Sequence, residues 1–271
     1  MAAHRLRVLT INLFGQGADW PARRAVVLAG IRELRPDLIA FQDAINSADY
    51  DQVGDLVGGT YEVVHQESAG DDGSGVSIAS RCPIVEVRQL DLEVSARVAG
   101  FPCTALAAEI DAPPPVGRLF LVNKRTSWQY GAERERELEA VAVARWLEAL
   151  VAERSLHVVL ASDLNAAPDS ASVRFLTGLQ LLDGTSVCYH DAWPASPGGA
   201  VGLTFTADNP LVRAGEMPLE PGRRIDYVLV RAGAHRPTLR VSSCALAFTE
   251  PIAGVFASDH YGVLAELEVA R

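Results

Sequence analysis

The sequence predicts an α/β fold in which two mixed β-sheets pack together with helices on the outside. Three observations predict it. Apolar, β-like runs come in groups with helical stretches at intervals, which is neither a βαβαβ alternation nor an all-β pattern. Polar residues close or interrupt several of those runs, as happens where layered α/β folds build sites at strand ends. The 271 residues are 49% hydrophobic and 21% charged, an ordinary globular composition that supplies one large core.

Arg5 to Phe14 alternates and reads as a strand ending near Asn12. Asp19 followed by Pro21 marks a helix start, and Pro36 stops that helix after about Arg35. Asp37 to Gln42 is a short buried strand with Asp43 just beyond it. Tyr61 to His65 is a further strand, Ala69 to Gly75 a flexible turn, and Val76 to Ser80 and Ile84 to Leu92 strands of a meander. Cys103 to Ile110 and Leu119 to Asn123 flank a Pro113-Pro114-Pro115 loop as a hairpin. The longest helix spans about Ala132 to Glu153, with Leu138, Val141, Ala144, Leu147 and Val151 as its buried stripe. Leu156 to Ala161 is a central strand, and Ser170 opens a short helix to about Thr177. Gly184 to Gly222 is long, irregular and rich in Gly and Pro, a pattern of functional loops, and its Trp193, Phe205, Arg213 and Met217 are candidates to shape a pocket. Arg224 to Val230, Leu239 to Phe248 and Tyr261 to Val269 complete the sheets.

Residues 1–271 are read as a single domain, because no Ser/Gly-rich linker or charge block divides them. No apolar run approaches the roughly 20 residues that span a bilayer. Met1 to Arg7 leads straight into a strand and not into a signal-peptide core, so a cytoplasmic location is expected. Cys82, Cys103, Cys188 and Cys244 are scattered without a Cys-x-x-Cys pair and read as reduced and mostly buried. The net charge of -10 and the lack of basic tracts make nucleic acid the less expected partner, since such binding draws on Lys and Arg against phosphates. The sequence sets no oligomeric state.

Four pieces carry chemistry. They are Asn12 within Val8 to Leu13, Asp163-Leu164-Asn165 behind the run Leu156 to Leu160, Arg224-Ile225-Asp226-Tyr227, and Ser258-Asp259-His260. Each is ordinary alone: Asp-x-Asn is commonly a turn or cap. In this order they fit one arrangement, with a histidine oriented by an aspartate, a second aspartate and an asparagine addressing a water and an oxyanion, and carboxylates for a divalent cation. That is equipment for hydrolysing a phosphate ester.

These motifs resemble the endonuclease/exonuclease/phosphatase superfamily, the fold of deoxyribonuclease I, inositol polyphosphate 5-phosphatases and neutral sphingomyelinases. The resemblance runs from Leu9-Thr10-Ile11-Asn12-Leu13 to Ser258-Asp259-His260, through Asp37 to Asp43, Gly75 to Arg81, Leu160 to Asn165 and Arg224 to Tyr227. It implies a four-layer α/β sandwich. It also implies roles: Asp163 aligns or deprotonates the attacking water, Asn165 hydrogen-bonds a phosphoryl oxygen, and Asp226 orients His260 toward the scissile phosphate or the leaving group. Asn12, Asp43 and Asp259 would hold Mg²⁺ directly or through water, with the ion as Lewis acid.

Two positions depart from the family pattern. Gln42-Asp43 stands where the family has Gln-Glu, and aspartate is shorter by one methylene, roughly 1.5 Å. Weak or water-mediated binding, or Mn²⁺ or Ca²⁺ in place of Mg²⁺, are the expected results. Asn123-Lys124-Arg125-Thr126-Ser127-Trp128 stands where the family has Asn-x-His or Asn-His. Lys124 and Arg125 then supply cations for the substrate, with Trp128 beside them, but not an easily donated proton. The leading expectation is a metal-dependent phosphoesterase on a small-molecule or lipid-like phosphate ester. A DNA or RNA nuclease is the second, and a binding protein or non-hydrolytic enzyme reusing the cleft is the third.

Overall fold

The computed structural model describes residues 5–152, 154, 156–195 and 199–269. In chain order the elements are β1 (Leu6–Asn12), α1 (Trp20–Leu34), β2 (Leu38–Ile45), α2 (Gln52–Val57), β3 (Glu62–His65), β4 (Ser74–Ser80), β5 (Ile84–Asp91), β6 (Thr104–Asp111), β7 (Arg118–Arg125), α3 (Glu133–Ala152), β8 (His157–Asp163), α4 (Ala171–Leu176), β9 (Tyr189–Asp191), α5 (Pro210–Ala214), β10 (Asp226–Arg231), β11 (Arg240–Ala247) and β12 (Gly262–Glu268). Among the described residues they form two six-stranded sheets, ordered β11-β12-β1-β2-β4-β3 and β5-β6-β7-β8-β10-β9. Each sheet has one parallel pair, β1 with β2 and β7 with β8, bridged by α1 and α3; the other pairings are antiparallel. The second sheet is continuous in sequence, whereas the first takes both flanking parts of the chain.

The strand period of two explains the layers. Leu6 and Val8 of β1 point between the sheets, where they meet Leu106, Leu121 and Val228 of the second sheet. Leu9 and Ile11 point the other way, onto Val27 and Ile31 of α1. In the second sheet Phe120 and Val122 pack on Ala144 and Leu147 of α3. Both faces of the central strands are buried, so they read as near-continuous apolar runs. The expected sandwich of two mixed sheets with outer helices is what forms. No helix among the described residues is long and apolar enough to cross a membrane.

Several boundaries differ from expectation. Leu138 is exposed and Val151 only half-buried; the covered face of α3 is Ala140, Val141, Val143, Ala144 and Leu147. Its first turns bury Glu135, Arg136 and Glu139, because the loop from β7 folds over them. Ser127 donates to Glu139 from N and Oγ at 3.1 and 2.5 Å, and Arg136 donates to the carbonyls of Ser127 and Gln129 at 3.0 and 2.8 Å. Polar pairs of this kind are invisible to an apolar stripe. The expected end at Glu153 lies outside the described residues. Ser74 and Gly75 open β4 and are not part of the turn, and α2, capped by Asp51 on Gly54 N at 2.8 Å, fills a stretch for which the sequence suggests no element. Cys188 is exposed, while Cys103 and Cys244 are buried.

Candidate active site at the seam of the sheets

β8 and β10 run antiparallel in a register that sets Asp163 against Asp226. His260 enters from the loop before β12. Its Nδ1 lies 3.0 Å from Asp226 Oδ2, and its Nε2 lies 4.0 Å from Asp163 Oδ2. Phe205 tilts against the imidazole with ring centroids 4.7 Å apart. Asp226 is fully buried and its Oδ1 has no hydrogen-bond partner. Its charge is therefore compensated chiefly by His260. Burial and the adjacent Asp226 push Asp163 up to about 7. Burial disfavours the imidazolium of His260, but Asp226, Asp163 and Asp259 outweigh it and raise the group to about 10. The cluster thus pairs a protonated histidine with a carboxyl poised near neutrality.

Asn165 follows in the left-handed region (φ 51°), which asparagine tolerates. Its N–H donates to Asp163 Oδ1 at 2.8 Å, and its amide donates to Thr126 Oγ1 at 3.2 Å. From the first sheet, Asn12 Nδ2 donates to Asp43 Oδ2 at 3.1 Å and to Asp163 Oδ2 at 3.2 Å, which ties the sheets together at the site. Asn12 Oδ1 accepts from Phe14 N at 2.9 Å. Asp43 is not beyond β2 as expected but within it, at a bulge between Phe41 and Ala44, with φ 45°. That bulge turns its half-buried carboxylate into the cavity.

Lys124 and Arg125 also lie inside a strand, the last two residues of β7, and not after it. Lys124 is buried, and burial lowers its amine from the usual lysine value against the pull of Glu139. Arg125 donates to Ser74 O and Oγ at 2.7 and 2.8 Å, stacks over Phe101 at 4.2 Å, and lies 3.9 Å from Asp43. Trp128 is 40% exposed on the wall. All the expected site residues except Asp226 line one cavity of about 330 Å³, and Asp226 sits behind it, bonded to His260. Of the candidates in the irregular segment, Phe205 and Met217 line it, while Trp193 and Arg213 do not. Trp193 instead packs against the inter-sheet core.

Among the described residues, Asp163, Asp226 and His260 are a group whose potential metal-ligating atoms fall within 4.8 Å of one another. The Asp226–His260 bond occupies part of that group. Asp43 and Asp259 add carboxylates to the cavity, with Ser258 Oγ donating to Asp259 Oδ1 at 3.1 Å. Hard oxygen donors in small number fit Mg²⁺, which keeps several of its waters.

Sequence reasoning missed the bracing. Arg23 is buried and donates to the carbonyls of Leu13, Gly15, Gly17 and Ala257 at 2.9 to 3.0 Å. It binds the loop after Asn12 to the loop before Asp259. Asn209 Nδ2 donates to the carbonyls of Ser258 and Asp259 at 2.9 and 3.2 Å, and Thr204 Oγ1 accepts from Ile225 N and Asp226 N. The irregular segment therefore holds Asp226, Asp259 and His260 in place. Its Asn-Pro pair, Asn209-Pro210, was the available signal, a helix cap before an early proline.

Comparison with known proteins agrees with this fold. The fold is shared with D. rerio TDP2 complexed with a single-strand DNA product (TM-score 0.73, 18% identity, 98% of this chain and 99% of that one). An endonuclease/exonuclease/phosphatase from Bacteroides vulgatus (0.75, 19%, 98% and 100%) and the human Nocturnin catalytic domain with bound sulfate (0.71, 15%, 98% and 95%) share it too. No curated protein matches the sequence. Residues 9–260 match the Endonuclease/Exonuclease/phosphatase family, a span that opens on β1 and closes on His260. With the match covering most of the chain and every candidate site residue, the chain belongs to that family.

Proposed function

We propose that the protein is a divalent-metal-dependent phosphoesterase acting on a small-molecule or lipid-like phosphate ester. One observation carries the reading: Asp163, the Asp226–His260 pair, Asn165 and the carboxylates Asp43 and Asp259 converge on a single cavity from both sheets. Asp163, poised near neutrality, aligns the attacking water and takes its proton. Asn165 bonds a phosphoryl oxygen as charge develops. His260, held by Asp226, donates to the leaving oxygen. Asn12, Asp43 and Asp259 would hold Mg²⁺, and the ion would supply Lewis-acid polarisation of the phosphoryl group. Arg125, fixed by Ser74 and Phe101, supplies the charge that the family histidine would otherwise bring.

The test is hydrolysis of bis(4-nitrophenyl) phosphate by metal-stripped protein before and after Mg²⁺ or Mn²⁺ is added. Turnover is expected only with metal, and His260→Ala is expected to lower it by roughly 10²- to 10⁴-fold. Activity that survives both EDTA and that substitution sinks the reading. Calorimetric titration with Mg²⁺, Mn²⁺ and Ca²⁺, in parallel with Asp43→Ala, reports the metal site independently of turnover. The likeness to TDP2 complexed with a DNA product favours a nuclease as the second reading. Steeply salt-dependent binding to single or double strands would select it over the first.

A further inference from the structure

We propose that the cavity selects esters whose alcohol portion is one apolar chain or ring, seated on a wall built by residues 205–225. The inference rests on the phosphoesterase reading of the same cavity. The wall is Leu211, Val212, Met217 and Ile225, joined by Phe101 and Trp128 from other loops. Phe205, Val212 and Ile225 form an apolar cluster of their own, apart from the three layers of core, with Met217 half-buried against it. Phe205, Val212 and Ile225 are themselves buried and back the wall, while half-buried Leu211, Met217 and Phe101 and exposed Trp128 present the apolar surface that a ligand would cover.

The charges around the cavity limit what else fits. Its lining cations are Lys124, Arg125, Arg223 and the protonated His260, against the acids Asp43, Asp163, Glu216 and Asp259. Arg223 is already spent on Glu220, donating from Nε at 3.1 Å and Nη2 at 2.9 Å. Arg125 is bonded to Ser74. A polynucleotide needs a track of cations for successive phosphates; these residues suit one anionic head with an uncharged body. The wall is also pre-formed. Tyr130 donates to Glu220 Oε2 at 2.6 Å and lies under the Arg223 guanidinium at 4.7 Å, so the loop bearing Trp128 is tied to the loop bearing Met217. A rigid apolar wall loses little to ordering when a ligand binds.

Calorimetry with n-alkylphosphonates from methyl to octyl, on the Mg²⁺-loaded protein, tests this without any turnover. Affinity is expected to rise about fourfold per methylene until the wall is covered. The rise per methylene should shrink in Leu211→Asp and in the milder Met217→Ser. Equal affinity for methyl- and octylphosphonate in the parent protein overturns the proposal. So does a 5′-phosphorylated oligonucleotide that binds more tightly than octylphosphonate. Failure of the phosphoesterase reading shows elsewhere, as absent metal-dependent hydrolysis of bis(4-nitrophenyl) phosphate, so the two failures are separable.

Discussion

His157 opens β8 half-buried, with Nδ1 lacking a hydrogen-bond partner. Burial lowers its pKa below the ordinary histidine value of 6.5, and the backbone of Val116 opposes this only in part. The unfolded chain therefore takes up a proton that the folded chain refuses. Stability present above pH 6.5 is lost as the pH falls through that value toward the depressed folded one. Urea unfolding at pH 7.5 and pH 5 is expected to show a smaller acid loss in His157→Gln than in the parent; an equal loss would refute it. At this scale the chemistry was legible and its supports were not. Asp163 ends the run of β8 and Asn165 follows it, while Asp226 opens β10 and His260 stands just before β12, so their order shows through. Arg23 sits beside Arg24 in a helix, and nothing local marks one as wired to five carbonyls and the other as a half-buried partner of Asp55.

Elements were legible where burial follows a period. β1, β2, β8 and β10 are apolar on both faces and stood out, as did α1 with its Asp19 cap and Pro21. The β7–α3 junction did not, because Lys124, Arg125, Glu135, Arg136 and Glu139 are charged and yet buried. Their burial depends on Ser127 and on the loop folding back, contacts that no window of sequence displays. The Tyr130–Glu220–Arg223 link ties this junction to the 215–223 loop, and it belongs to binding more than to chemistry. Tyr130→Phe removes a hydrogen bond worth about 1 kcal/mol. The expected outcome in steady-state kinetics is about a fivefold rise in KM for an ester with an apolar chain, with kcat nearly unchanged. A fall in kcat at constant KM would contradict that assignment.

Across the whole molecule the two sheets meet not only through apolar side chains but through a buried polar seam. Gln42 Nε2 donates to Thr10 Oγ1 at 3.0 Å and to Asn123 Oδ1 at 2.8 Å, and Asn123 Nδ2 donates to the carbonyls of Phe41 and Ser77 at 2.8 and 3.0 Å. Asn123→Ala takes one partner from Gln42, which keeps Thr10, and one from each of two interior carbonyls. A loss of about 2–5 kcal/mol in urea unfolding is expected, and a loss under 1 kcal/mol would show that the seam is not a joint. The sandwich was legible from strand grouping, but the division of the chain between sheets was not, since the pairing of Leu6 with Leu267 leaves no local trace. That division has a consequence for synthesis. β12 lies between β1 and β11, and Asp259 and His260 immediately precede it. As the chain leaves the ribosome, the second sheet can close while β1 still waits with one open edge. The centre gains its histidine only as the missing strand arrives, so assembly of the catalytic group and closure of the first sheet are one event in time.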